Sequence, residues 1–494
     1  MSDSSTLKKK CIFIYVNQGF AVRYLLRTGI LETLSSNDID IVIVSHNGAE
    51  ASFLETFSNK NIKVEVCRVD EYKNFRKKYK LLRIFEELRA YILNGKYDTQ
   101  TVDDFREIYI YQKGWVKGKG VIKMFAGLLW SGTSYILMHS KLLRSLLIKF
   151  ECLMYTPNTH NDLFKKYQPD LVIVSALCGF KYNEYFAREA IKNNIPVTCI
   201  ILSWDNTTGM GMAGYKPNTL VSWTESMKNE LIQLHDTSPK DIFIGGVAHF
   251  DSYYNNATLT RHELCERLNL DPSKKIIFYA TKSPKRFPWG PELISEIANA
   301  IDNGFIDNNS QILVRIHPLH YRRSTNGEYV FKRVIDGYYN VAQKYKNVII
   351  NAPNLASKEI DFDMENDEMI LTASILKHSD VMINMFSTMI IEAAIFDLPS
   401  INVCIKDKYT SNNNKTRQDI MVEHRQTHSR RVMDTGGVST VYTMNELFDV
   451  INNYLSDRTL HQAERKLIVQ NEAGPYKGDA GNKIGKHILG LLGN

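Results

Sequence analysis

The sequence predicts an α/β protein of two consecutive doubly wound domains facing across a cleft, each on a parallel sheet, with a helical insertion in the first. Three observations carry this. Apolar, β-branched runs of four to seven residues recur along the chain, helical text rather than tight turns separates them, and the polar stretch Asp251 to Leu259 divides two such series. Strands buried on both faces read as continuous apolar runs, and parallel neighbours need crossover helices. At about 150 residues per domain, 494 residues suffice for two or three domains.

The first series has strand text at Cys11 to Val16, Asp40 to Ser45 and Ile62 to Cys67, with helices over Val22 to Leu34 and Ala49 to Phe57. From 71 to 166 the text turns helical and basic. Leu81, Ile84, Phe85 and Leu88 recur at the spacing of one helix face, as do Leu142, Leu143, Leu146 and Leu147. Strands resume at Leu171 to Ser175, Val197 to Leu202, Thr219 to Trp223 and Ile242 to Gly245, with helices at Asn183 to Lys192 and Glu225 to Leu234. Thr260 followed by Glu263 is a capping-box start and opens the second domain. Its strands are Lys275 to Thr281, Gln311 to Ile316, Asn347 to Ile350, Val381 to Asn384 and Ser400 to Val403, with helices near Pro291 to Ile301, Glu368 to Lys377 and Thr388 to Phe396. The expected domains are therefore 1–255 and 256–475, with a terminal segment 476–494. Such sheets bind ligands beyond the C-terminal ends of their strands, so two of them would line one cleft.

Composition excludes several classes. With 44% hydrophobic and 23% charged residues the chain is globular, and seven scattered cysteines without a C-x-x-C pair argue against a disulfide framework or a zinc cluster. The apolar run after the basic N-terminus is too short for a signal peptide. Met124 to Ser140 is uncharged but falls short of a spanning helix, so no transmembrane segment is expected. The formal charge is +7, and residues 71–150 hold 16 Lys+Arg against 7 Asp+Glu, a local +9 that leaves the remainder at −2. No nucleic-acid reading module accompanies this charge. It reads either as a basic surface for anionic lipid or an anionic carrier, or as a solvated helical face. The expected location is the cytoplasm, with a peripheral place on the inner face of the membrane.

The chemistry concentrates in the second domain. Arg315-Ile316-His317-Pro318 ends a strand, which Pro318 stops, aiming His317 off the sheet edge. From Ser379 to Ala393 the text runs strand, loop, helix, which places Ser387 and Thr388 at a helix N-terminus where free N–H groups, the helix dipole and two hydroxyls favour a phosphate. Glu392 follows within two turns and could accept from ribose hydroxyls. Lys282, after another strand, is a candidate phosphate contact. Taken singly these residues are also a helix cap, a structural histidine and a loop lysine; in this order on neighbouring strand ends they point to a nucleotide site. In the first domain Asp205 closes a strand and is a candidate general base, with an Asx-turn as the plainer reading. Asn17, Gly19 and Arg23 enter the first helix, where Arg23 could meet an anionic acceptor or phosphate, or make a surface salt bridge.

A His-Pro at one strand end with Ser-Ser or Ser-Thr at a later helix start resembles GT-B-fold transferases that use cytidine nucleotides: bacterial sialyltransferases, Kdo transferases and CDP-glycerol glycerophosphotransferases. The matching residues are His317-Pro318, Ser387-Thr388 and Glu392-Ala393. The likeness is good over 275–400 and looser over 170–251, where Ser203 to Asn206 and Gly245 to Asp251 look like segments of surface-polysaccharide transferases; 71–166 resembles nothing nameable. The resemblance implies two Rossmann-like domains facing across a cleft, a terminal helix returning to the first, and a glycosyltransferase without metal or cofactor. It implies a CMP-, UDP- or CDP-linked donor held by Lys282, Arg315, His317, Ser387, Thr388 and Glu392, a glycan or lipid-linked acceptor, and Asp205 with His317 as catalytic groups. Glycerophosphotransfer from CDP-glycerol, sugar-nucleotide 2-epimerisation and a non-catalytic scaffold with a relic nucleotide cleft are the alternatives.

Three patterns are set aside. Gly209 to Gly214 fits G-x-G-x-x-G but is followed by Pro217 and strand text, so it reads as a pliable loop beside the cleft. Asp361-Phe362-Asp363 and Asp38-Ile39-Asp40 fit D-x-D about as often as chance would, and His424 with His428 lacks the glutamate of a zinc helix. No metal is assigned.

Overall fold

Thirteen strands, every ladder parallel, form two sheets in the computed structural model, which describes residues 9–116, 120–255, 258–324, 326–354, 366–406, 408–409 and 418–493. The chain divides into two units, Met1–Val102 with Met124–Asp251 and Gly474–Asn494, and Asp103–Lys123 with Ser252–Ala473.

The first unit holds β1 (Lys10–Val16), β2 (Ile39–Ser45), β3 (Ile62–Val66), β4 (Leu171–Ser175), β5 (Val197–Ile200), β6 (Thr219–Ser222) and β7 (Ile242–Ile244), in the order β3-β2-β1-β4-β5-β6-β7. The order reverses between β1 and β4, the ligand-binding position of a doubly wound sheet. Ile12, Phe13, Ile14 and Tyr15 of β1 are buried, as two covered faces require. The helix expected over Val22 to Leu34 is two, Gly19–Leu26 and Gly29–Ser35, because Thr28 turns extended and caps the second through its side chain. The terminal helix Ala480–Leu492 lies on Gly29–Ser35: a Cβ on Gly481 would stand 2.9 Å from the Gly29 backbone, so glycine allows this approach. Asp251 accepts from the N–H groups of Ala480 (2.9 Å) and Gly481 (2.7 Å) at the start of that helix.

The second unit holds β8 (Lys275–Ala280), β9 (Ser310–Arg315), β10 (Val348–Asn351), β11 (Val381–Asn384), β12 (Ser400–Val403) and β13 (Val438–Val441), in the order β10-β9-β8-β11-β12-β13, so its reversal falls between β8 and β11. The Thr260–Glu263 capping box is present at the helix Arg261–Leu268. Strand β13 was absent from the sequence reading, since Val-Ser-Thr-Val is too polar to register as a buried run.

The insertion differs from expectation in three respects. Residues 103–123 fold with the second unit, where Asp104 pairs with Arg425 at 3.3 Å and Arg286 lies over the Phe105 ring. The helix Val121–His139 starts three residues before the uncharged stretch, and its 19 residues are by length and composition alone apolar enough to cross a membrane. Most informative is an inversion. In the helices Lys80–Arg89 and Lys141–Met154 the residues Leu81, Ile84, Leu142, Leu143 and Leu146 are exposed, while Glu86, Arg89, Arg144 and Glu151 are buried, although Leu88 of the same expected face is buried with Leu82. Arg89 donates to Glu151 (2.5 and 3.1 Å) and Glu184 (2.9 Å), and Arg188 donates to Glu151 (2.8 Å). Two guanidinium and two carboxylate groups thus neutralise one another inside the first unit. The Gly209 to Gly214 loop is packed over this cluster and is not pliable: Met212 exchanges hydrogen bonds with Arg89, and a Cβ on Gly214 would strike Arg89, Arg188 and Glu184.

Candidate functional site

Lys282, His317 and Ser387 of the second unit each follow the C-terminal end of a strand, β8, β9 and β11, on both sides of the β8/β11 reversal. Thr281, just past β8, accepts the His317 N–H at 2.8 Å through its hydroxyl, tying the ends of β8 and β9 together. His317 Nδ1 accepts from the Leu319 N–H at 3.1 Å, so that nitrogen is unprotonated and the proton of the neutral ring sits on Nε2. Burial, then His320 and Lys282, push its pKa down to about 3. The ring is therefore a neutral Nε2–H donor at pH 7.

Between β11 and the helix Met389–Ile395 the chain makes a tight passage. Phe386 adopts φ +49°, a left-handed conformation that a phenylalanine holds only when its surroundings impose it. Two buried asparagines do so: Asn402 of β12 accepts the Phe386 N–H at 3.0 Å and Asn384 of β11 accepts the Ser387 N–H at 3.3 Å. Because both carbonyl oxygens are used this way, both amide nitrogens are fixed as donors, and neither has a partner among the described residues. The buried Ser387 hydroxyl oxygen is also unpartnered among them. Leaving each such group unsatisfied costs about 1–3 kcal/mol. These three donors, without a partner among the described residues and close to a sheet reversal, are groups that an oxygen-rich anion would satisfy.

Lys282 departs from its expected role as a phosphate contact. Its ammonium has three donors, and three acceptors take them: Met385 O (2.9 Å), Phe386 O (3.1 Å) and Glu423 (3.1 Å). It is a strut that holds the Phe386–Ser387 passage. Burial alone would raise the Glu423 carboxyl, but Lys282 and then Arg286 outweigh it and hold it below the ordinary range. Arg315 is likewise corrected: its guanidinium is buried and donates to Glu368 at 2.6 Å and to Asn351, joining β9 to β10 and to the helix Asn366–His378. Glu392 is buried in the helix Met389–Ile395, where it accepts from Tyr253 at 2.5 Å. Thr388 starts that helix without a side-chain cap bond.

In the first unit Asn17 follows β1, and Gly19 and Arg23 lie in the helix Gly19–Leu26. Asn17 Oδ1, Gln18 Nε2 and Arg23 Nε are buried without partners among the described residues, and Arg23 stacks over Phe20 with 4.8 Å to the centroid. Asp205 stands beyond β5, two strands from β1; it accepts from Ser203 at 2.5 Å, and its carbonyl takes the Gly209 N–H at the start of the short helix Asn206–Gly209, which its side chain does not cap, so the Asx-turn of the plainer reading is not formed. Across that reversal Ala176, immediately after β4, has φ +64°.

Thr281, Asn384, Asn402 and Glu423 were missed in the sequence. A signal existed for the asparagines, which are polar residues within buried strands; Glu423 offered none, since its partner is 141 residues away. The D-x-D at Asp361 to Asp363 lies outside the described residues, whereas Asp38 and Asp40 both pair with Lys9 at 3.1 Å. His424 and His428 sit on separate helices, Ile420–Arg425 and Thr427–Met433. No group of three or more His, Cys, Asp or Glu able to hold a metal occurs among the described residues.

Neither a protein-family model nor a curated protein matches the chain. Solved structures do. A Listeria monocytogenes protein assigned as a UDP-N-acetylglucosamine 2-epimerase superposes with a TM-score of 0.53 at 11% identity, covering 96% of this chain and 94% of that one. Staphylococcus aureus MnaA, solved with UDP, gives 0.53 at 12% identity, with 98% of each chain covered. The Neisseria meningitidis UDP-GlcNAc 2-epimerase bound to UDP-GlcNAc gives 0.50 at 10%, covering 98% of this chain and all (100%) of the other. At such identities the likeness establishes the fold: the chain has the two-domain GT-B architecture, with a Rossmann-like sheet in each unit.

Proposed function

We propose that the protein is a nucleotide-sugar-dependent glycosyltransferase whose second unit holds the donor's phosphates. The observation that carries this reading is the set of donors without a partner among the described residues close to the β8/β11 reversal, the Ser387 hydroxyl and the Asn384 and Asn402 amides, together with the Nε2–H of neutral His317. A phosphate would satisfy them, and their hydrogen bonds would strengthen as charge builds on the departing nucleotide when the glycosidic bond breaks. A neutral histidine suits this task, because it donates without giving up a proton. Thr388 adds a second hydroxyl on the donor side, and Lys282 and Arg315 act by holding the strand ends.

A second reading, sugar-nucleotide 2-epimerisation, is favoured by the UDP and UDP-GlcNAc bound to structural neighbours. It shares the phosphate cradle and differs in needing no acceptor. Melting temperature followed with CMP, CDP, UDP, ADP and GDP tests both. Stabilisation by one nucleotide, reduced in His317→Ala and in Ser387→Ala, supports the cradle and names the donor base; no stabilisation by any nucleotide overturns it. Where UDP is selected, conversion of UDP-GlcNAc without added acceptor decides for the epimerase.

A further inference from the structure

The insertion helices show their apolar stripes to solvent. In Lys141–Met154 the exposed stripe runs through Leu142, Leu146 and Leu153, the last 82% accessible, and in Val121–His139 it runs through Phe125 and Leu129, 61% and 57% accessible. Ile84 extends the surface onto Lys80–Arg89, whose Phe85 ring packs edge-on against Phe150 at 5.6 Å. Large apolar side chains left in water at this density are unusual, since contiguous apolar patches on soluble monomers rarely exceed about 300–600 Å² and larger ones mark protein or membrane interaction sites. The opposite faces of the same helices are tied down. Trp130, Leu137 and Met138 are buried, Arg144 donates to the carbonyls of Leu137 (2.9 Å) and Met138 (2.6 Å) and pairs with Asp236 at 2.7 Å, and Arg89 and Glu151 belong to the internal ion cluster.

We propose that these exposed faces form a monotopic docking surface that beds its apolar side chains at the acyl boundary of an anionic bilayer, the helices lying in the membrane plane. Charge selects this occupant. Lys77, Lys78, Lys80, Arg83, Lys141 and Lys149 are exposed on the same helices and the one preceding them, so cations accompany the apolar stripe as they do in interfacial helices facing anionic headgroups. In a symmetric dimer through this face, these cations would oppose one another. Crossing the membrane would require Val121–His139 to abandon the buried contacts of Trp130 and Met138. The burial pattern, not the charge count, specifies which side chains enter the lipid. The proposal stands apart from the activity proposed above.

The test is flotation of the purified full chain with phosphatidylcholine vesicles with and without phosphatidylglycerol, beside Leu129→Glu/Leu146→Glu and Lys141→Glu/Lys149→Glu. The expected result is partition onto anionic vesicles that falls at least about tenfold in each double variant, with salt weakening but not abolishing wild-type binding. An unchanged melting temperature in the variants shows that they fold. Three results would overturn the proposal: no flotation of the wild type, equal flotation of Leu129→Glu/Leu146→Glu, or a vesicle-free dimer that this variant converts to monomer. Resistance to carbonate extraction after membrane expression would replace in-plane docking by a spanning helix.

Discussion

Replacing Lys282 by methionine keeps the stem of the side chain and removes three hydrogen bonds at once. The carbonyls of Met385 and Phe386 lose their Lys282 donor, and Glu423 loses its nearest cation among the described residues, keeping Arg286 at 3.8 Å. Removing one partner of a buried pair costs about 3–5 kcal/mol; the retained arginine and the 14% exposure of the lysine side chain place this case at the lower end, about 3 kcal/mol. At about 2–4 °C per kcal/mol for a domain of this size, thermal unfolding of Lys282→Met should fall by about 6–12 °C at pH 7. The loss must also depend on pH. In the wild type the depressed Glu423 carboxyl contributes stability that is present above the unfolded value of 4.5 and fades as pH falls through the lower folded value. In the variant, burial prevails and the carboxyl rises, so the gap between the two proteins is full above the variant's raised value and narrows as pH falls through it toward the wild type's lower one. Lys282→Met/Glu423→Gln should lose less than the sum of the single changes. Urea titrations at several pH values measure all three quantities. A gap under about 1 kcal/mol at pH 7, or one that stays constant to pH 4, refutes the strut.

Other outcomes follow from the same geometry. His317 and His428 are pushed down to about 3 and His320 to about 4, in each case first by burial, so the folded second unit keeps them neutral while the unfolded chain protonates near 6.5. Their contribution is present above pH 6.5 and is lost progressively toward pH 4, and calorimetry should show a declining melting temperature over that window that is shallower in His320→Asn. Glu151→Gln leaves Arg89 and Arg188 buried against Glu184 alone and should cost about 3–5 kcal/mol by urea midpoint, while Lys332→Met, at an exposed pair with Asp336, should leave the midpoint unchanged. Equal midpoints for wild type and Glu151→Gln would mean that apolar packing alone holds the insertion.

What the sequence determined by itself was the alternation of elements. A strand covered on both faces must be apolar along its whole length, so β1, β4, β8 and β11 were legible as Ile-Phe-Ile-Tyr, Leu-Val-Ile-Val, Ile-Ile-Phe-Tyr and Val-Met-Ile-Asn. The positions of His317 after one strand and Ser387 before one helix were legible for the same reason, since strand ends and helix starts are local events. Tertiary structure decided which groups are used up. Lys282 and Arg315 read as free cations at strand ends, and only the fold brings Glu423 to one and Glu368 to the other. Periodicity showed that Leu142 and Leu146 share a helix face but not whether that face points inward. Buried pairing settles it: Arg89, Glu151 and the Glu184 and Arg188 of one further helix, Lys181–Lys192, come together from three helices, and once they neutralise one another inside the first unit, the leucine stripe has only the outside left. A local sequence fixes spacing along one helix; the side on which it is covered depends on partners distant in the chain.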